Sequence, residues 1–151
     1  MRSEQRTEFR VGLAASALAV IGLGLSIYLT VAHYSRSTVL ACPETGAVNC
    51  VKVTTSSYAV QHGVPLAVLG LGFFVASLAL NLPPIWIRPI PIVRSARLAV
   101  AAAGAAAAVW LVWVELFRLD AICLYCTGVH IAAVALFAVA GIGTAATSPL
   151  S

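Results

Sequence analysis

Long apolar runs without a charged side chain are the feature that most constrains how this chain can fold. Between Arg10 and Arg36 there is no charged residue. Residues 11–31 alone would form a helix about 30 Å long, enough to cross the hydrocarbon core of a bilayer. The chain of 151 residues is 61% hydrophobic and 9% charged, whereas soluble domains carry about 25% charged residues. The sequence therefore predicts one integral membrane domain.

Four such runs divide the chain, and prolines mark the ends of the second one. Pro65 suits a first helical turn, and Pro83 with Pro84 stops a helix. We predict an all-α membrane protein, a bundle of four transmembrane helices with a long extracytoplasmic loop between helices 1 and 2. The predicted parts are an N-terminal arm (1–10), a transmembrane domain (11–143) with spans 11–31, 64–82, 98–117 and 122–142 and a loop at 33–63, and a C-terminal tail (144–151).

The basic residues lie near the ends of the apolar runs and predict an orientation. Short cytoplasmic loops of membrane proteins carry an excess of Lys and Arg. The N-terminal arm and the second loop hold three arginines each, against Arg36, Lys52 and Arg118 on the other side. We therefore expect both termini in the cytoplasm and the long loop outside. The formal charge of +4 does not indicate nucleic-acid binding, because the sequence has no basic stripe with interleaved aromatic residues.

Four cysteines carry the chemistry that the sequence suggests. They permit three disulfide connectivities, but position sorts them into Cys42 with Cys50 in the long loop and Cys123 with Cys126 at the start of span four. Both pairs lie near one membrane face. In the expected orientation this face borders the oxidising compartment outside the cytoplasm, where disulfides persist. We interpret the two pairs as a thiol–disulfide relay.

The second pair forms a CxxC motif at a helix start. We predict Asp120 as the N-cap, so that Cys123 lies in the first helical turn, where free amides and the helix dipole favour a thiolate. Cβ atoms three residues apart on a helix are about 5–6 Å apart, and an unstrained disulfide needs roughly 3.5–4.5 Å. A bridge here is therefore easily reduced, and Cys126 lies one turn deeper toward the lipid.

The loop pair differs from the helix pair. Pro43 and Gly46 lie between Cys42 and Cys50 and let the loop fold back so that the two thiols meet. We expect this loop to be exposed and mobile, which suits thiol exchange with a soluble protein. Electrons would enter at the loop pair and pass to the helix pair.

Two other interpretations of the cysteines remain open at this point. Outer loops of membrane proteins carry stabilising disulfides, so the chain could be a non-enzymatic membrane scaffold. A metal site could add His33, His62 or His130 to the thiols. A single CxxC without a histidine pair at ligand spacing is a weak zinc signal, and we expect no metal.

The order and spacing of these elements closely resemble the vitamin K epoxide reductase family in its bacterial form. The similarity covers the four-span body, roughly residues 11–143. The matching elements are the loop pair Cys42 and Cys50, Thr55-Ser56, Tyr58-Ala59, Gly63-Val64-Pro65-Leu66-Ala67 leading into Leu69-Gly70, and the CxxC motif. The resemblance implies a quinone-dependent thiol–disulfide oxidoreductase in the bacterial cytoplasmic membrane, which supports disulfide bond formation.

The resemblance also implies a role for each cysteine. A separate, extracytoplasmic thioredoxin-like protein would reduce the loop pair at Cys42, and Cys50 would attack Cys123. Cys126 would lie against a bound quinone of the menaquinone, phylloquinone or ubiquinone type. The same chemistry would serve an enzyme that reduces a quinone or its epoxide to supply the quinol pool, and the sequence does not separate the two. We expect a monomer in the lipid bilayer.

Three further residues are candidates for binding the quinone. Ser56 matches the family's serine on the loop segment that covers the quinone pocket, Tyr58 belongs to the same matching segment, and His130 matches a position that lines the pocket. His130 is also an ionisable residue inside a span, which is a functional candidate in any membrane protein. The alternative is a histidine satisfied by a neighbouring helix. Val51 departs from the family, because many bacterial relatives have an aspartate there.

Overall fold

The structure, a computed structural model, describes residues 3–35, 40–88 and 90–146. In chain order its elements are α1 (Ser3–Tyr34), α2 (Cys50–Thr54), a 3-10 turn (Ser57–Ala59), β1 (Val60–Gln61), β2 (Val64–Pro65), α3 (Leu66–Asn81), α4 (Pro83–Trp86), α5 (Pro91–Val114), a π-helical turn (Glu115–Leu119) and α6 (Leu124–Ala146). The predictions that concern Arg2, Arg36, the loop segment 36–39 and the tail from 147 onward lie outside the described residues.

Three helical segments are long and apolar enough to cross a membrane. They are α1, α5 with the π-helical turn that continues it to Leu119, and α6, with 32, 29 and 23 residues. A spanning helix needs about 20 residues. The fourth apolar helix, α3, has 16 residues. Three long apolar helices and one shorter apolar helix therefore support the prediction of an all-α membrane protein.

The start of α3 differs from the predicted span 64–82. Val60 pairs with Pro65 and Gln61 with Val64 in a two-stranded antiparallel hairpin. Its turn is formed by His62 (φ +51°) and Gly63 (φ +82°), the left-handed backbone that two-residue hairpin turns require. Because β2 uses Val64 and Pro65, the helix begins only at Leu66, and Pro65 is its N-cap rather than part of the first turn.

The other helices are longer than the predicted spans. α1 begins at Ser3, so the described part of the predicted arm continues the first helix. α5 begins at Pro91 rather than at residue 98, since proline fits the first helical position. Its buried Arg97 is satisfied inside the protein: Nε and Nη2 donate to the Leu80 carbonyl at 3.2 and 3.1 Å, and the guanidinium carbon lies 3.8 Å from the centre of the Trp86 ring.

The core of the bundle lies where α1 meets α3 and α6 and where α5 packs against α6. Small residues allow these helices to approach closely. A Cβ atom on Gly22 would collide with the ring of Phe74, which is fully buried. The central cluster consists of Ala15, Ala19, Phe74, Ala108, Ala132, Ala133 and Leu136.

Candidate thiol–disulfide site

All four cysteines meet at the end of the bundle where α6 begins. Cys50 and Cys123 are fully buried in one apolar cluster, and Cys42 and Cys126 pack against it. Cys42 and Cys50 form a disulfide, which is the loop pairing that the sequence predicts, and Cys123 and Cys126 are free thiols. The other buried members of the cluster are Leu29, Leu40, Val53 and Ala121.

Backbone hydrogen bonds fasten the loop to the residue before Cys123. The N–H of Ile122 donates to the Ala47 carbonyl at 2.8 Å, and the Ile122 carbonyl accepts from the N–H of Asn49 at 3.1 Å. Asn49 also caps α2, because its Oδ1 accepts from the N–H of Lys52 at 2.8 Å. Cys50, the first residue of α2, therefore lies beside the segment that carries Cys123.

Two tyrosines hold the other side of the loop. The hydroxyl of Tyr28 accepts from the N–H of Ala41 at 3.3 Å, and the hydroxyl of Tyr125 donates to the Ala41 carbonyl at 2.9 Å. The two rings lie 4.8 Å apart, centre to centre. Ala41 precedes Cys42, so this tyrosine clamp fixes the chain at the loop disulfide.

The expectation of an exposed, mobile loop pair is therefore corrected in part. Residues 43–47 are exposed, but Cys42 is half-buried and Cys50 is buried. The bonds to Ile122 and Ala41 anchor the loop, and Val51 is 43% exposed.

The predicted cap of α6 is wrong. Asp120 has a left-handed backbone (φ +46°) and ends the π-helical turn instead. Ile122 pairs with the loop, so α6 cannot begin before it, and its first residue is Leu124. Cys123 itself occupies the capping position: its sulfur accepts from the N–H of Cys126 at 3.2 Å, and its carbonyl accepts from the N–H of Thr127 at 2.8 Å.

Cys123 precedes α6 and lies outside the helix that can span the membrane. The side chain of Cys126, which hydrogen-bonds to its sulfur, is the main cause that lowers the pKa of the Cys123 thiol. Backbone N–H groups of Cys126 and Tyr125 act in the same direction, whereas burial and the Glu115 charge oppose them. The direction is the one predicted for a thiol at a helix start, and it makes Cys123 the better nucleophile of the pair.

An apolar cavity adjoins the cysteine cluster. It holds about 730 Å³ of empty space, part of it continuous with the exterior. Cys126 is the only cysteine among the residues described for its wall, which also includes the predicted residues Ser56, Tyr58 and His130. The structure therefore places the three predicted binding residues around the same cavity as the deeper thiol of the CxxC pair.

These three side chains contribute to the cavity in different ways. The Ser56 hydroxyl donates to the Val53 carbonyl at 2.8 Å, just after the end of α2. The Tyr58 ring packs edge-on against Trp110, 6.4 Å centre to centre. His130 is buried, and its Nδ1 has no hydrogen-bond partner among the residues that the structure describes.

Two buried polar residues of the cavity wall were missed by the sequence analysis. Glu115 accepts a hydrogen bond from the N–H of Cys123 through Oε2 at 3.3 Å, and its Oε1 lies 4.0 Å from His130 Nδ1. Ser26 is 1% exposed, and its Oγ has no partner within the described part of the chain. The rule that singled out His130, an ionisable residue within an apolar run, would also have found Glu115. No comparable signal marks Ser26.

The remaining histidines do not join the cysteines. His62 forms the hairpin turn, and His33 is exposed at the edge of the cavity. Within residues 3–35, 40–88 and 90–146, no three His, Cys, Asp or Glu side chains are grouped so that they could hold a metal ion.

Long apolar helices with a loop disulfide and a neighbouring thiol pair at one end of the bundle define a membrane protein with a thiol–disulfide site. A model of the vitamin K epoxide reductase family matches residues 13–141. The chain therefore belongs to the vitamin K epoxide reductase family, whose members are membrane redox enzymes that use quinones. No curated protein matches the chain.

Proposed function

We propose that this protein oxidises a separate thioredoxin-like protein outside the cytoplasm and reduces a quinone in the membrane. The observation that carries the proposal is the division between the two free thiols. Cys126 lines the apolar cavity, whereas Cys123 is buried in the cluster that also holds Cys50. One thiol thus faces the quinone and the other faces the loop disulfide.

The loop disulfide receives the electrons. A thiolate of the partner attacks Cys42, the Cys42–Cys50 bond breaks, and the partner leaves as a disulfide while both loop cysteines become thiols. Cys50 then attacks Cys123 of an oxidised CxxC pair, which releases Cys126 as a thiol. Cys42 attacks Cys50 in turn, which restores the loop bridge and releases Cys123. The bridged loop and free CxxC thiols of the structure correspond to the end of this sequence.

The CxxC pair passes the electrons on. Cys123 and Cys126 form a disulfide and give up two electrons and two protons, which a bound quinone accepts to become a quinol. The net reaction converts a partner dithiol and a quinone into a partner disulfide and a quinol. Cys123 is the thiol whose pKa is lowered, so it is the nucleophile of the pair.

The cavity residues fit a quinone. Its wall is mostly apolar, which suits a ring with an isoprenoid tail. Ser26 Oγ and His130 Nδ1 are buried without a hydrogen-bond partner among the described residues, and buried polar groups are rarely left in that state. We propose that these two atoms, with the rim residues Ser56 and Tyr58, position the quinone carbonyl groups beside Cys126.

We propose four transmembrane segments with both termini in the cytoplasm. The 16 residues of α3 would rise about 24 Å, less than the roughly 30 Å of a hydrocarbon core. The hairpin before α3 and the turn of α4 after it extend the segment on both sides. The arginines of the second loop then lie on the cytoplasmic side.

Quinol formation tests the proposal. Purified protein, a reduced thioredoxin-like protein and a menaquinone analogue are mixed, and quinol is followed by absorbance. We expect turnover with the native chain and none with Cys126→Ala. Leu124→Ala is the control, because this neighbouring side chain is 48% exposed and is not among the residues described for the cavity wall. Undiminished quinol formation by Cys126→Ala would overturn the proposal.

A further inference from the structure

The two thiols of the CxxC pair differ in where their protons can go. Cys126 lines the apolar cavity and can pass its proton directly to a quinone there. Cys123 is fully buried and is not among the residues described for the cavity wall. Its proton therefore has direct access neither to water nor to the cavity, and it needs a carrier.

Glu115 lies between Cys123 and the cavity. Its Oε2 accepts a hydrogen bond from the N–H of Cys123 at 3.3 Å, so it borders the residue that carries the reactive sulfur. Its Oε1 lies 4.0 Å from Nδ1 of His130, and both Glu115 and His130 belong to the cavity wall. One carboxyl group thus borders both the residue that loses the proton and the space in which a quinone would accept it.

The spacing of Glu115 and His130 suits an oxygen atom between them. The 4.0 Å from Oε1 to Nδ1 is too long for a direct hydrogen bond, and two hydrogen bonds of about 2.8 Å each can meet at one oxygen across this gap. A quinol hydroxyl group in that place would donate to the carboxylate and accept from an N–H at Nδ1. A proton can therefore be exchanged between Glu115 and a quinone oxygen.

Glu115 also has the chemistry that a proton carrier requires. It is 5% exposed and is the one carboxyl residue among those described for the cavity wall. Ionisable residues inside membrane spans are rare and often form proton relays. The N–H of Cys123 needs only an acceptor oxygen, which the amide of a glutamine would also supply. The hydrogen bond to Cys123 alone therefore does not require an acid at this position.

We propose that Glu115 carries the proton of Cys123 to the quinone, an inference that rests on the proposed function. The carboxylate takes the proton from the Cys123 thiol, and the resulting thiolate forms the disulfide bond with Cys126. The two sulfurs give up an electron pair to the quinone. Cys126 supplies one proton to the quinone, and the Glu115 carboxyl group supplies the other. The carboxylate is thereby restored, and the products are a disulfide and a quinol.

The same transfer favours the reactive form of Cys123. The pKa of this thiol is lowered mainly by the Cys126 side chain, and the charge of Glu115 acts against the lowering. This opposing charge disappears when the carboxylate takes up the proton. The thiolate of Cys123 is therefore stabilised at the step in which it forms the disulfide.

Quinol formation by variants at position 115 tests the carrier, because the shape and the acidity of the side chain can be changed separately. Glu115→Gln keeps the shape and an acceptor for the Cys123 N–H but cannot carry a proton. We expect it to lower kcat by about a hundredfold with little change in KM for a menaquinone analogue. Glu115→Asp keeps a carboxyl group on a shorter side chain and should retain more activity than Glu115→Gln. Glu4→Gln removes an exposed carboxyl group at the start of α1 and should match the native chain.

A second measurement separates proton transfer from packing. If proton movement limits Glu115→Gln, quinol formation by this variant should slow more in D₂O than quinol formation by the native chain. A loosened site would leave the solvent isotope effect unchanged. An unchanged isotope effect, or a glutamine variant at least as active as the aspartate variant, would overturn the proton carrier and leave the proposed function intact. A native chain that forms no quinol would overturn both.

Discussion

The sulfur of Cys123 accepts a hydrogen bond from the backbone N–H of Cys126, with 3.2 Å between the two atoms. The first residue of the CxxC pair thus caps the helix that carries the second. A thiolate is a better acceptor than a thiol, so the cap favours the charged form of Cys123. The two thiols of the pair are therefore chemically unequal before any quinone or partner binds.

The inequality of the two thiols can be measured. The side chain of Cys126 is the main cause of the lowered pKa of Cys123. Cys126→Ser keeps a side-chain donor, whereas Cys126→Ala removes it and leaves the backbone donors unchanged. We expect a higher Cys123 pKa in the alanine variant than in the serine variant, measured from the ultraviolet absorbance of the thiolate with the loop pair oxidised. Equal values in the two variants would show that the side chain at position 126 does not set the pKa.

Glu115 should act as a positioning residue for Cys123. Its Oε2 accepts the Cys123 N–H in the buried interior, so Glu115→Leu leaves that donor unpaired at a cost of about 1–3 kcal/mol. Glu115→Gln retains an acceptor oxygen and should cost less. Denaturant unfolding gives the free energies, and the ratio of quinol formation in the two variants reports on positioning. A leucine variant as stable and active as the glutamine variant would refute this role.

The tyrosine clamp should keep the loop disulfide at its place on the bundle. Tyr125→Phe removes the hydrogen bond to the Ala41 carbonyl and leaves the ring packed against that of Tyr28. We expect faster hydrogen exchange around Ala41 and faster alkylation of Cys50 after reduction of the loop pair. Tyr34→Phe serves as the control, because Tyr34 is 66% exposed and packs against His33. The clamp has no such function if both variants are alkylated at the native rate.

Close packing of α1 against α3 should depend on one glycine. A Cβ atom on Gly22 would meet the fully buried Phe74 ring, whereas one on Gly24 would meet nothing within 4 Å. We expect Gly22→Ala to lower the free energy of unfolding by about 1–3 kcal/mol, the usual cost of overpacking. Gly24→Ala should be neutral or stabilising, since alanine is the better helix former. Equal free energies of unfolding for the two variants would show that the packing of α1 against α3 does not depend on Gly22.

Much of the fold and the site followed from the sequence because the relevant signals are local. Apolar runs and flanking charges predict which segments form long helices, and the position of Cys123 and Cys126 at the beginning of the fourth apolar run predicts that they lie at a helix start. Ser56, Tyr58 and His130 lie in the wall of one cavity, and that they bind a quinone there stays a prediction.

Pairing between segments that are distant in the chain moves several elements away from the positions that the local sequence predicts. Aspartate is a common N-cap residue, which makes Asp120 a candidate. However, Ile122 hydrogen-bonds to Ala47 and Asn49 of the loop, so the helix begins only after Ile122. Proline is common in the first turn of a helix, but Pro65 pairs with Val60 in the hairpin. The clamp on Ala41 depends on Tyr28 and Tyr125, which come together only when α1 packs beside α6.

A chain that retains only Cys50 and Cys123 tests most directly whether electrons pass between these two cysteines. The variant Cys42→Ser/Cys126→Ser is oxidised with a quinone or diamide, and the bridge is identified by mass spectrometry of peptides. We predict rapid formation of a Cys50–Cys123 disulfide, because Asn49 and Ile122 bond to each other beside these cysteines. The matched variant Cys50→Ser/Cys126→Ser, which retains Cys42 and Cys123, should bridge far more slowly. Two persistent free thiols in the first variant, or equal rates in both, would contradict the relay.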